Sequence, residues 1–286
     1  MPDRIDEFES VFRSADRTVY RFEPPPVRRA LVLSDRPAGT AEAFDARVRA
    51  YVESGDPDAS LEWESWHGDV PDTREQFVDR LSSYDADLVV THRNLHDSIS
   101  DAHFGLGVYV HVLTQSTRVP VLVTPSPDSP GFEQATRKLE DALLLSDHID
   151  GDDRLVNWAV NFVSNSGALV LANVEPEAVF GRYMHAISRI PGIETEMAED
   201  RIRAELLKEA EDYIAACRQR LSQVRPELTT TGLVRMGEPL QVLRELLPRH
   251  DHALVVMQAD DDRQIAMRGL AAAAAVEFAD ISMLLI

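Results

Sequence analysis

At 286 residues the chain is long enough for two ordinary domains, and its 44% hydrophobic and 27% charged residues place it among globular proteins. A formal net charge of −20, from 49 acidic and 29 basic residues with no local basic patch, argues against nucleic acid or an anionic membrane as a partner. The single cysteine, Cys217, excludes an internal disulfide framework and a multi-cysteine zinc site, and the first apolar run, Ala30–Leu33, is too short for export or membrane spanning, so a cytoplasmic location is expected.

In chain order, the sequence before Val27 is polar and aperiodic and ends in Glu23-Pro24-Pro25-Pro26, so residues 1–27 read as an arm or strap. Arg28–Ser34 (RRALVLS) is a buried strand running into a turn at Asp35, Pro37 and Gly39. The spacing of Phe44, Val48 and Tyr51 or Val52 predicts a helix over 40–53. Alternation over 61–65 predicts a strand on which Trp63 and Trp66 face opposite ways, one into the core and one towards an interface between the two halves. A helix over 73–81, a buried strand over 85–91 (DADLVVT), a helix over 106–117 and a buried strand over 119–124 (VPVLVT) follow. Pro125–Gly131, with three prolines, two serines and a glycine, is a linker.

The pattern then begins again. Leu139–Ser146 (LEDALLLS) is a strand ending in Asp147, as Ser34 leads into Asp35. A helix over 152–164 and a strand over 168–174 (ALVLANV) lead to a long helix over 196–224, where Ile202, Leu206, Ala210, Ile214, Cys217, Leu221 and Val224 recur at spacings of three and four. Cys217 on that apolar face reads as a buried, inert thiol. Strands over 229–236, 252–257 (HALVVM) and 281–286 (ISMLLI) alternate with helices over 239–247 and 265–279. Continuous apolar strands alternating with helices imply a mostly parallel sheet covered on both faces. The fold expected is α/β, with two tandem domains of five-strand type, 28–126 and 138–286. The first copy is shortened by one strand-helix unit, unless the N-terminal arm replaces it.

The order of motifs in both halves resembles the universal stress protein family. Arg235-Met236-Gly237-Glu238-Pro239-Leu240 and His67-Gly68-Asp69-Val70-Pro71 look like the family's strand-to-helix step. Asp87-Leu88-Val89-Val90 and His252-Ala253-Leu254-Val255-Val256-Met257 look like its apolar fourth strand. Gly107 lies thirteen residues before Pro120, and Gly269 thirteen before Ser282, the spacing of the family's phosphate-contacting glycine. The resemblance implies an adenine nucleotide alpha hydrolase-like fold and a crevice for ATP or another adenine nucleotide. Asp35 and Asp147 match the adenosine-side aspartate, and Val174 and Met257 end the strands that would border the base and the phosphates. It also implies a pseudo-dimer within the chain, with Val119–Thr124 and Ile281–Ile286 pairing across the two-fold axis, and leaves room for a homodimer beyond it.

Both loops depart from the family's glycine-rich pattern. The first is Thr91-His92-Arg93-Asn94-Leu95, which keeps the cationic donors His92 and Arg93 but no glycine, and Gly107 is followed by Val108. The first half also lacks the strand whose end would meet the adenine. The second loop carries Asp260-Asp261-Asp262, which repels phosphate, and Gly269 is followed by Leu270. Ordinary ATP binding is therefore not expected in either half, and no cofactor is assigned.

The remaining sharp patterns carry little chemistry. His92 and His96, with His103 and His111, have zinc-like spacing only if helical, and they read as polar loop residues. Asp260–Asp262 reads as a solvated turn before a helix, with a divalent cation as the alternative. Ser146, Asp147 and His148 are not spaced as a nucleophile set. No catalytic and no metal-ligating residue is assigned. The expected function is that of a stress-response or regulatory protein, non-catalytic, acting as a ligand sensor or as a scaffold for protein partners. The alternatives are a metal-dependent nucleotide hydrolase and a cytosolic regulator of a transporter.

Overall fold

The computed structural model describes residues 19–55, 60–68, 73–96, 105–117, 119–147, 149, 153–190, 195–249, 254–259 and 269–286. In chain order these form β1 (Arg29–Ser34), α1 (Ala38–Glu53), β2 (Glu62–His67), α2 (Arg74–Ser83), β3 (Leu88–His92), α3 (Val108–Ser116), β4 (Val121–Thr124) and α4 (Phe132–Ala135). Then come β5 (Ala142–Ser146), α5 (Asp153–Asn161), β6 (Ala168–Pro176), α6 (Glu177–Ile187), α7 (Thr195–Val224), β7 (Thr229–Gly237), α8 (Pro239–Leu246), β8 (Leu254–Met257), α9 (Gly269–Glu277) and β9 (Met283–Leu285). The apolar runs became strands and the three-and-four spacings became helices. The helix α6 and the short helix α4 at the end of the linker had no clear periodic signal. Asp69-Val70-Pro71, His103, His148 and Asp260–Asp262 lie outside the described residues.

Where two sheets were expected, the nine described strands form one, in the order β2-β1-β3-β4-β9-β8-β5-β6-β7. All neighbours run parallel except β4 and β9, which are antiparallel, with Val121 opposite Leu285, Leu122 opposite Leu284 and Val123 opposite Met283. These are the apolar last strands of the two halves. Each would leave an open edge alone, and their pairing removes both edges at once. The second half contributes five strands and the first half four. The place beside β1 is nevertheless filled, because β2 pairs along it from Arg29–Glu62 to Ser34–His67. The shortened half therefore lacks the outermost strand, not the one next to β1.

Alternate residues of each central strand feed two cores. Ala30 and Val32 join Phe44 and Val48 of α1, Trp158 of α5 and Tyr213 of α7 on one face. Leu31 and Leu33 join Phe77 of α2, Leu113 of α3, Leu243 of α8 and Ala274 of α9 on the other. A sheet covered on both faces by helices is the three-layer solution to burying continuous apolar strands. Trp66 is core, while Trp63 is partly buried against α1, where Arg49 lies 5.3 Å over its ring and Glu53 accepts its indole N–H. It lies on the sheet's outer strand and not at the junction of the halves, contrary to expectation.

From Val19 onward the arm lies as a strap across α5 and α7. Tyr20 is 4% exposed and sits edge-on to Tyr213. Its hydroxyl donates to Asn157 Oδ1 at 2.7 Å. Cys217 is buried on the same face, as expected, and burial pushes its thiol up to about 12.

Candidate functional site

In doubly wound sheets, ligands bind outside the carboxyl ends of the strands where the strand order reverses. The order reverses at two places here, between β1 and β3 and between β5 and β8, which are the candidate crevices. The first gathers Ser34 and Asp35 at the end of β1 with His92, Arg93 and His96 at and beyond the end of β3.

Asp35 Oδ2 accepts the backbone N–H of His96 at 2.8 Å, and its Oδ1 lies 3.2 Å from His92 Nε2. That Oδ1 is buried and makes no hydrogen bond, so the contact is one of proximity. Burial raises the Asp35 carboxyl, but the His92 contact, the His96 N–H and Arg36 outweigh it and hold the group at about 2. The His96 turn is made by two residues with left-handed backbone, Asn94 at φ 58° and His96 at φ 59°. Asparagine tolerates that conformation, histidine less readily, and the Asp35 bond holds it in place.

His92 is fully buried, with its ring edge-on to Phe44 of α1 at 5.2 Å. Its Nδ1 donates to the Arg93 carbonyl at 2.9 Å, and its Nε2 meets both Ser34 Oγ, at 3.2 Å, and Asp35. A serine-histidine-aspartate relay needs the serine and the carboxylate on opposite nitrogens of the ring. Here both share one nitrogen and the other is taken by a carbonyl, so the arrangement does not activate Ser34.

Arg93 is turned away from the crevice. Its guanidinium donates to the carbonyls of Ala275, in the last turn of α9, at 2.5 Å and of Phe278, just past its end, at 2.7 Å. It also reaches Gly105 O and Met283 Sδ. Burial lowers the guanidinium to about 10, with Asp280 acting in the opposite sense, so it remains charged at neutral pH. The residue is 3% exposed. The cationic pair read from the sequence as phosphate donors is thus brought to the crevice by β3 and then spent on protein partners. Gly107, at φ 91°, opens α3 without a side-chain cap, and the Asn94 N–H donates to Leu106 O just before it.

The second crevice has different fittings. Asp147 follows β5 and is half-buried. Asn173 Oδ1 accepts the Ile149 N–H at 3.0 Å, tying the loop after β5 to β6. Val174 and Met257 are core residues, 0% and 1% exposed, so their side chains line no open surface. Gly269 opens α9, with open space where a Cβ would stand. Ala259 occupies the place that Arg93 holds in the first half: Arg93 N–H donates to Thr124 O at the end of β4, and Ala259 N–H to Ile286 O just after β9. The alanine cannot reach across. The end of α3 is closed instead by its own Thr117, whose hydroxyl donates to Leu113 O at 3.0 Å, six residues beyond Gly107 as Ala275 is six beyond Gly269.

Sequence reading missed Ser34, Asn94 and the α9 terminus as partners of these residues, because none of the contacts is local. Among the described residues, no group of three or more histidine, cysteine or acidic side chains is placed to hold a metal. No described helix is long and apolar enough to cross a membrane.

No family model and no curated protein matches the sequence. Among solved structures, the chain is similar to a protein of unknown function from Pseudomonas aeruginosa PAO1 and to a candidate universal stress protein from Pseudomonas aeruginosa UCBPP-PA14. Each is 13% identical over 90% of this chain and 81% of the other, with a TM-score of 0.43. A ligand-free substrate-binding protein with adhesive properties from Clostridium difficile is 10% identical over 91% of this chain and 74% of its own, with a TM-score of 0.23. Likenesses at these scores say nothing about ligand or activity, and the strand order stands on this chain's own hydrogen bonds.

Proposed function

We propose that the chain is a non-catalytic regulatory protein of universal stress protein type, two α/β halves packed as an intramolecular pseudo-dimer, in which the first half has given up its ligand crevice to hold the second. The observation that carries this reading is the commitment of Arg93 to the end of α9, with Asp35 accepting the His96 N–H and lying against His92 at the end of β3. A triphosphate there would have to displace buried charge-assisted contacts, each worth about 1.5–3 kcal/mol. The motif order in the sequence and the order β7-β6-β5-β8-β9 of the second half support the family assignment. The protein then works as a ligand sensor through its second half, or as a scaffold for protein partners.

Calorimetric titration with ATP, with and without magnesium, tests this. The expected result is at most one equivalent bound and no phosphate released. Two equivalents would show that the first crevice still takes nucleotide. Magnesium-dependent release of phosphate would replace the proposal with the hydrolase alternative.

A further inference from the structure

In the second half the outer side of β6 is covered by β7, with Leu169 beside Thr230, Leu171 beside Gly232 and Asn173 beside Val234. Ser34 lies beside His67 as Ser146 lies beside Asn173, so β2 stands to β1 as β6 stands to β5. Trp63, Ser65 and His67 are therefore the counterparts of Leu169, Leu171 and Asn173. Among the described residues nothing takes the place of β7 beside them, and β2 ends the sheet. The described part of the arm lies on α5 and α7 instead.

The ladder fixes which main-chain groups are left over. Glu62 N–H donates to Arg28 O and Gly68 N–H to Ser34 O, so Glu62, Glu64, Trp66 and Gly68 turn towards β1. Trp63, Ser65 and His67 turn their N–H and C=O groups outward, and no described residue bonds them. Such an edge is a template for another strand, and its side chains limit which strand fits. Glu62 and Glu64 are exposed on one face of β2, where Arg80 of α2 lies 4.1 Å over the ring of Trp66.

We propose that β2 is a dimerisation edge, on which the β2 strands of two copies of this chain pair antiparallel about Ser65 and join their sheets. In that register Ser65 faces Ser65 and Trp63 faces His67, and each such pair exchanges both of its N–H···O bonds. Glu64 of one copy then stands opposite Trp66 of the other, beside the guanidinium of Arg80, so acid meets base across the edge, twice by symmetry. Centring the pair on Trp63 would set Glu62 against Glu64, and like charges exclude that slip. The copy itself supplies both the glutamate and the arginine, which is the charge complementarity that selects it as the occupant.

The test is sedimentation equilibrium of the full chain up to about 1 mM, at low salt and at about 1 M salt, where repulsion between chains of net charge −20 is screened within about 3 Å. One strand edge is a small interface, so a dissociation constant on the order of 100 µM is expected. The mass should rise from 32.0 kDa towards twice that value, and the N–H groups of Trp63, Ser65 and His67 should become slow to exchange as it does. Ser65→Pro removes the central N–H of the edge and should weaken association at least about tenfold. A chain that stays at 32.0 kDa throughout overturns the proposal, and so does a Ser65→Pro variant that dimerises as strongly as the wild type. Should that variant fail to fold by circular dichroism, cross-linking replaces it. Ser65→Cys sets two thiols on Cα atoms about 5.5 Å apart, within disulfide reach, whereas Glu62→Cys faces Gly68 of the other copy. Cys217 is buried and does not compete. Ser65→Cys should cross-link much the faster, and equal rates would rule out pairing about Ser65.

Discussion

The guanidinium of Arg93, rooted in the first half, closes the carbonyl end of a helix in the second by donating to Ala275 O at 2.5 Å. The last carbonyls of any helix lack intrahelical partners, and a cation there also meets the negative end of the helix dipole. Replacing Arg93 with alanine removes the side-chain donor from both the Ala275 and the Phe278 carbonyl. We expect Arg93→Ala to lower unfolding free energy by about 3 kcal/mol in urea titration. Arg93→Lys should recover only part of it, since an ammonium cannot fork to two carbonyls. A loss under about 0.5 kcal/mol, the size of an ordinary surface change, would show that the contact holds nothing together.

Asp35 sets an acid-dependence. Its carboxyl is held at about 2, below the ordinary 3.8, so the folded state binds its proton less readily than the unfolded state does. The stability it contributes is complete above pH 3.8 and is lost as pH falls through about 2. The side chain is 15% exposed, and with allowance for solvent screening the amount is about 1–2 kcal/mol. Asp35→Asn still accepts the His96 N–H but carries no charge. Its unfolding free energy should fall less steeply than that of the wild type between pH 4 and 2, and an unchanged slope would assign the acid sensitivity elsewhere.

Two glycines should respond in opposite senses to alanine. At Gly167 a Cβ would stand 1.9 Å from the Glu140 backbone oxygen, which cannot yield without moving the start of β5. Gly167→Ala should cost more than about 3 kcal/mol or prevent folding. At Gly181, exposed in the middle of α6, a Cβ meets nothing within 4 Å, and Gly181→Ala should stabilise by about 0.5–1 kcal/mol. Thermal melts of the two variants read both signs.

Cutting the chain in its linker should not separate the halves. A protease site inserted at Ser129 leaves three ties intact: the β4–β9 pairing, the Arg93 cap on α9, and the arm, which enters β1 from its seat on α5. The cut fragments should co-elute in native chromatography. Fragments that elute apart would mean that the linker, and not packing, holds the halves together.

Much of this architecture is legible in the residues. Runs such as LVVT and LLLS can satisfy their side chains only between two layers, so parallel strands and flanking helices follow from composition alone. The short spacing before Leu61 goes with the four strands β1–β4 of the first part of the sheet, against five in the second. The burial of Cys217 was readable for the same local reason. The site was legible only as a set of positions: Asp35, His92 and Gly107 stand at strand and helix ends because the motifs put them there.

What those positions do was decided by packing. Nothing near Arg93 in the chain says that its partner is Ala275, because that contact joins residues 182 apart and exists only once β4 lies against β9. Asn157 and Tyr20, 137 apart, are likewise ordinary polar and aromatic residues until the arm crosses to α5. The sequence by itself determined which elements form, since hydrophobic periodicity and turn chemistry act over a few residues. Only the tertiary structure decided which charges remain available to a ligand, because a buried cation or amide takes whatever partners the fold brings within 3 Å.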